Sequence, residues 1–192
     1  MLMLLLQFAH LLGASLALGE IVVTDLRLLR RLASGRTRIA PPRPHVIRLM
    51  TISLIVLYAT GGALISLGLA ADPTYLSDNP KLLGKLVLVA LLTINALVLH
   101  RITFPTLARG RRLARWTARD FASVAVPVAV SNCLWFYCAF LGIARPWSRN
   151  VSMEFVLGTA LWLFGAGLVG LLAVLLIAAR GRVGALPAAS RI

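Results

Sequence analysis

The sequence predicts an all-α integral membrane bundle of five transmembrane helices, built as a single domain over residues 1–192. Three observations carry that prediction. Of the 192 residues, 59% are hydrophobic, and the mean hydropathy is +0.88; a soluble domain of this size is about half apolar. Apolar runs near the ~20 residues that cross a bilayer recur along the whole chain. The arginines fall in the gaps between those runs and alternate in density from gap to gap.

The expected spans are residues 3–23, 49–71, 83–103, 121–144 and 155–179. The first contains QFAHLLGASLALGE and is expected to stay in the mature chain. A cleaved signal would carry cations before its apolar stretch, whereas here they all follow it. The second places Tyr58, Gly62 and Ser66 on one stripe. The third, LGKLVLVALLTINALVLHRIT, is polar at Lys85, Asn95 and His100. The fourth contains Pro127, which frees a backbone carbonyl and can bend the helix. The fifth has Gly158, Gly165, Gly167 and Gly170 and no charge after Glu154, a composition suited to helix packing.

The connections are short. ADPTYLSDNP reads as a turn, and GRTRIAPPRPH as an extended, solvated loop. Trp147 is placed to anchor at a membrane interface.

Charge sets the expected orientation. Arg27, Arg30, Arg31, Arg36, Arg38, Arg43 and Arg48 follow the first span. Arg101, Arg109, Arg111, Arg112, Arg115 and Arg119 follow the third, and Arg180, Arg182 and Arg191 follow the fifth. The other gaps hold only Lys81, Lys85, Arg145 and Arg149. The positive-inside rule then puts the N-terminus outside and the C-terminus in the cytoplasm. The expected partners are the lipid bilayer and, at the arginine-rich loops, anionic lipid head groups.

A net charge of +14 and a pI of about 11.7 could suggest nucleic acid, but no soluble domain is available to carry a basic patch, so that partner is not expected. The surplus of arginine over lysine fits a bacterial chain in the cytoplasmic membrane. Assembly as a homo- or hetero-oligomer stays open.

Cys133 and Cys138 point about 140° apart on a helix, which disfavours a disulfide between them. Phosphate-binding glycine loops, HExxH and GxSxG are absent from the sequence, and no motif assigns a reaction or a metal. What remains for chemistry is an intramembrane polar cluster: His10, Glu20, Lys85, Asn95, His100 and Asn132. With His10 at zero and 100° per residue, Gln7 lies near +60°, Gly13 near −60°, Ala17 near −20°, Glu20 near −80° and Thr24 near −40°. This small and polar stripe should face protein, because lipid tails cannot answer its polar groups. At ~1.5 Å per residue, Glu20 and His100 both lie ~25 Å from one membrane edge, so they could pair. His10 lies ~15 Å away from His100 in depth, nearer to Asn95 and Asn132.

The string H-x-x-G-x(5)-G-x(5)-D-x-x-L-L-R, here His10, Gly13, Gly19, Asp25, Leu28, Leu29 and Arg30, resembles the first helix of small bacterial multi-pass membrane proteins of unknown activity. KLVLVALLTINALVLHRITFP resembles their third helix. The chain is also similar, more distantly, to membrane protoporphyrinogen oxidases and copper-resistance-D-type bundles, which carry a histidine in the first helix. The oxidase resemblance implies haem as a cofactor, with His10 as its ligand.

Three functions are expected from these readings: a structural or accessory membrane subunit, a haem-binding redox protein using His10, or a small-ion or proton transporter using Glu20 and His100.

Overall fold

The computed structural model describes residues 1–148 and 150–180. Arg149, Arg182 and Arg191, three of the cations counted above, lie outside the described residues. The described chain is helical, with one isolated bridge between Arg38 and Arg112. Five helices are long and apolar enough to cross a membrane: α1 Leu2–Ala33, α2 Pro44–Ala71, α3 Pro80–Ala108, α4 Ala118–Ile143 and α5 Met153–Arg180.

Each boundary has a local cause. α1 runs ten residues past the expected end at residue 23 because LRLLRRLA is a strong helix former even where it is charged. It stops at Gly35, whose φ of +72° opens a left-handed turn. There Arg36 N–H donates to Arg31 O and Gly35 N–H to Leu32 O, both at 2.9 Å, a Schellman closure. Pro44 and Pro80 occupy first-turn positions of α2 and α3, where a missing N–H costs nothing. The Asn79 side chain caps α3 by accepting from Leu82 N–H at 3.1 Å. Thr117 and Asp120 form a reciprocal capping box that starts α4. Ser152 Oγ accepts from Phe155 N–H at 3.2 Å as α5 starts.

α3 widens into a π-helical turn at Leu99–Thr103. Pro105 follows at once and cannot donate to the carbonyl one turn back. The turn aims Thr103, fully buried, at α4. Pro127 of α4 has no N–H for Ser123 O, and Thr103 Oγ1 donates to that carbonyl at 2.8 Å. Asn95 Nδ2 donates to Pro127 O at 2.9 Å. The carbonyl freed in α4 is thus answered from α3, which also donates to the Pro127 carbonyl.

α1 and α2 pack as an antiparallel pair, with Gly13 against Val56, Leu57 and the Ser53 carbonyl. α3, α4 and α5 pack on one another, with Gly84 tight against Val156. α1 joins the two groups by leaning on α4. The main core gathers Ala17, Leu88, Leu92, Trp135, Tyr137, Leu141 and Val156. A second core holds Leu113, Ala125 and Leu175, with Leu32 and Phe121 against it.

That second core fixes the arginine-rich end. It brings together the end of α1, the connection after α3, the start of α4 and the end of α5. Leu113 N–H donates to Thr37 O at 2.9 Å, so the two arginine-rich connections touch. Asp120, 6% exposed, holds Arg109 at 3.8 Å and Arg111 at 3.5 Å. At the opposite end Trp147 packs edge-on against Phe140 and Phe155. Large apolar side chains such as Phe8, Ile55, Leu161 and Trp162 stay exposed around the bundle. Five helices of this length and composition suggest a membrane protein.

Two outcomes test this packing. Thr103→Val keeps the shape but leaves Ser123 O unanswered, and should destabilise the fold by about 1 kcal/mol. Gly84→Leu would put a Cβ 2.8 Å from Val156 Cγ1, a stiff β-branched neighbour, and so push α3 from α5. Its expected cost is about 1–3 kcal/mol, the usual penalty of overpacking. Both are read by denaturant titration of the purified protein in mixed micelles. Unchanged midpoints would reject the two contacts as structural supports.

Candidate functional site

α1 presents the face its sequence predicts. Gly13, Ala17 and Ile21 are buried, and His10, Glu20 and Thr24 are half-buried beside them. Gln7 is the exception and is exposed. It lies on the same meridian of the helix as Asp25, but α4 covers that meridian at the level of Asp25 and leaves Gln7 bare.

A cavity of about 190 Å³ opens between α1, α2, α3 and α4. Glu20, Thr24 and Asp25 reach it from α1, Thr51 from α2, His100 from α3, and Ser131 and Asn132 from α4. Glu20 and His100 therefore share one space, as their matched depths predict. They are not an ion pair among the described residues. Glu20 Oε1 lies 3.7 Å from Arg27 Nη1, two turns along the same helix, and 3.5 Å from Thr24 Oγ1. Arg27 is close and on the right face, so it, and not His100, is the cation beside Glu20. Because Arg27 is well exposed, this pair contributes little to stability.

His100 sits in the π turn. Its Nδ1 lies 2.8 Å from Ala96 O, a carbonyl that can only accept, so Nδ1 carries a proton and Nε2 is the nitrogen left outside this contact. Phe104 packs edge-on at 5.1 Å and fixes the ring.

Asp25 and Asn132 form the contact that the sequence reading missed. Asn132 Nδ2 donates to Asp25 Oδ2 at 2.8 Å. Ending the first span at residue 23 assigns Asp25 to a loop, but α1 continues through it. The available signal was the helix-forming run beyond Val23. Among the described residues no cation pairs with Asp25.

The other three members of the predicted cluster, His10, Asn95 and Lys85, do not line this cavity. His10 Nδ1 is 2.8 Å from Thr60 Oγ1. The Thr60 hydroxyl proton goes to Val56 O at 2.6 Å, so the histidine donates. Asn95 serves the Pro127 carbonyl. The expected trio of His10, Asn95 and Asn132 is thus three separate contacts, each tying a different pair of helices. Lys85 lies by the C-terminal turn of α4, where a Cβ at Gly142 would be 3.6 Å from its Nζ. Lys81, one turn earlier on α3, is buried and donates to Ala144 O at 3.0 Å. Both ammonium groups stand where the helix dipole leaves negative charge.

The haem implied for His10 can be tested against its surroundings. Neither of the two cavities described here is lined by His10. The ring lies against Gly61, where a Cβ would come within 3.3 Å of Cε1. These residues do not fit a haem on His10. Among the described residues no three His, Cys, Asp or Glu side chains gather as a metal site. Cys133 and Cys138 are free thiols, and Cys133 Sγ faces Ala160 O at 3.4 Å.

A larger groove, about 670 Å³, runs along α4 and α5 from Trp147 to Leu28 and Leu29 of α1. Asp25 and Asn132 belong to both spaces, so their hydrogen bond stands between the cavity and the groove. No family model, no curated protein and no solved structure matches this chain.

Proposed function

We propose that the chain is an integral protein of the bacterial cytoplasmic membrane that carries a proton or a small cation, with Glu20 and His100 as its exchanging groups. The observation that supports this is that both side chains line one cavity between four helices, where the rest of the wall is largely apolar. Ionisable groups inside a membrane bundle are costly, and where they face a shared cavity they serve as ion or proton relays. Nε2 of His100 can take a proton, and the Glu20 carboxylate can take one or hold a cation. In this reading the arginine-rich end faces the cytoplasm and anionic head groups, with the N-terminus outside.

A second reading, a structural or accessory subunit, has its own support. His10, Asn95 and Thr103 each end on a partner in another helix. Such bonds lock helices together without any transport.

Flux separates the two readings. Proteoliposomes with a trapped pH dye and an imposed potential should acidify with the native chain. Glu20→Gln and His100→Gln should slow this by about a hundredfold, the lower bound for losing a positioned acid–base group. Rates equal to protein-free vesicles for the native chain would leave only the accessory reading. Orientation is tested by thiol labelling of cells with an impermeant maleimide, in a chain whose Cys133 and Cys138 are replaced by alanine. Ser77→Cys should label in intact cells and Ser34→Cys only after permeabilisation. The reverse pattern would invert the proposed topology.

A further inference from the structure

The groove along α4 and α5 carries a more specific inference about what is bound, and it rests on the carrier reading above. Its walls are apolar for most of their length. Four aromatic side chains line it: Phe136, Tyr137, Phe140 and Trp147. Among the described residues no lysine or arginine lines it, although the chain as a whole carries a net charge of +14. Among the described residues its single acidic group is Asp25, held by the amide of Asn132 at 2.8 Å. Three ion pairs occur among the described residues, and none of them uses Asp25.

We propose that this groove binds a lipophilic organic cation, its apolar body against the aromatic wall of α4 and its positive centre beside the Asp25 carboxylate. Charge complementarity selects the occupant. An acyl chain or an apolar partner helix would fill the groove but would leave a carboxylate beside hydrocarbon, which is costly. An anion would be repelled by the same group. A hard metal ion needs about six oxygen ligands, and this wall supplies one carboxylate, one amide and the hydroxyls of Tyr137 and Thr159, both of which already donate to backbone carbonyls. A bulky cation needs only one counter-charge, and aromatic faces attract it further. The groove volume, about 670 Å³, lies in the range of small-molecule sites.

The position of Asp25 also links the two spaces. The carboxylate borders the cavity of Glu20 and His100 as well as the groove. Asn132 can donate to it when ionised, and after an amide turn can accept from it when protonated. The pair therefore holds through either a bound cation or a bound proton, so the two can exchange at one group. The titratable or charged groups near it are Glu20 and Arg27 on its own helix, His100 on α3, and Tyr137 and Cys133 on α4. Among the described residues, α2 and α5 line these spaces with no charged side chain.

The test uses two ions of one shape and opposite charge. Binding of tritiated tetraphenylphosphonium to the full chain in nanodiscs is measured by equilibrium dialysis against empty nanodiscs, and binding of tetraphenylborate is measured in separate cells. Saturable binding of one cation per chain is expected, with no saturable binding of the borate. Asp25→Asn, nearly isosteric, should weaken binding at least about tenfold, or ~1.4 kcal/mol. Gly167→Leu should weaken it similarly by filling the groove, since a Cβ there meets nothing within 4 Å and the helix itself is undisturbed. Should Asp25→Asn fail to fold, Gly167→Leu and the separate measurement of the borate decide alone. Equal binding of the borate, or native affinity in either folded variant, would overturn the inference. Cation binding without proton flux would remove the carrier reading and leave this site standing. Proton flux without cation binding would do the opposite.

Discussion

Pro127 imposes the constraint on which this bundle depends. A proline in the middle of a helix leaves the carbonyl one turn back without its donor, and in apolar surroundings no water stands ready to replace it. Here that carbonyl belongs to Ser123, and the donor comes from Thr103 on α3. Thr103 reaches it from the π turn that precedes Pro105. The irregularity in α3 and the gap in α4 are therefore complementary, and Asn95 closes the same joint one level away through Pro127 O. The joint fixes the height and rotation of α4 against α3. The same α4 then places Asn132 against α1 and Tyr137 and Cys133 against α5, where each donates to a carboxylate or a carbonyl.

The functional spaces follow from that placement. α1 and α2 form one packed pair, and α3, α4 and α5 form another group, joined where α1 leans on α4. Ala17, Leu88, Leu92 and Trp135 pack in one core. Leu92 and Trp135 also bound the neighbouring cavity that Glu20 and His100 line. The glycines of α5 shape the other face. Gly167 and Gly170 line the groove, and neither would meet a neighbour if it carried a Cβ.

Much of this architecture is legible in the sequence, for one physical reason. Apolar length and the 3.6-residue period are local properties, and they report which segments form apolar helices and which side of α1 turns inward. His10, Gly13, Ala17, Glu20 and Thr24 lie on the inward face for that reason. Rise per residue is also local, and it brings Glu20 and His100 to one depth and into one cavity. Partners are not local. Asn132 and Asp25 are 107 residues apart in the chain, and no periodicity names one to the other. The same holds for Thr60 with His10 and for Lys81 with Ala144. Boundaries fail for a different reason. Hydropathy ends α1 where arginines begin, but LRLLRRLA keeps its helical preference after its apolarity falls, and Asp25 lies in that interval.

Asp25 and Glu20 show how a single helix can serve two spaces. They are five residues apart, so they project from α1 about 140° from each other. Only one of them can face α4, and that is Asp25, which meets the Asn132 amide. Glu20 is turned away and finds Arg27 and Thr24 on its own helix. A spacing of three or four residues would have put both carboxylates on one face, in mutual repulsion and against one partner. A spacing of five gives one carboxylate an exposed cation and leaves the other with a neutral amide. The first is compensated within its own helix. The second depends on whatever stands beside it in the groove, and for that reason it is the group on which a bound positive charge would act most strongly.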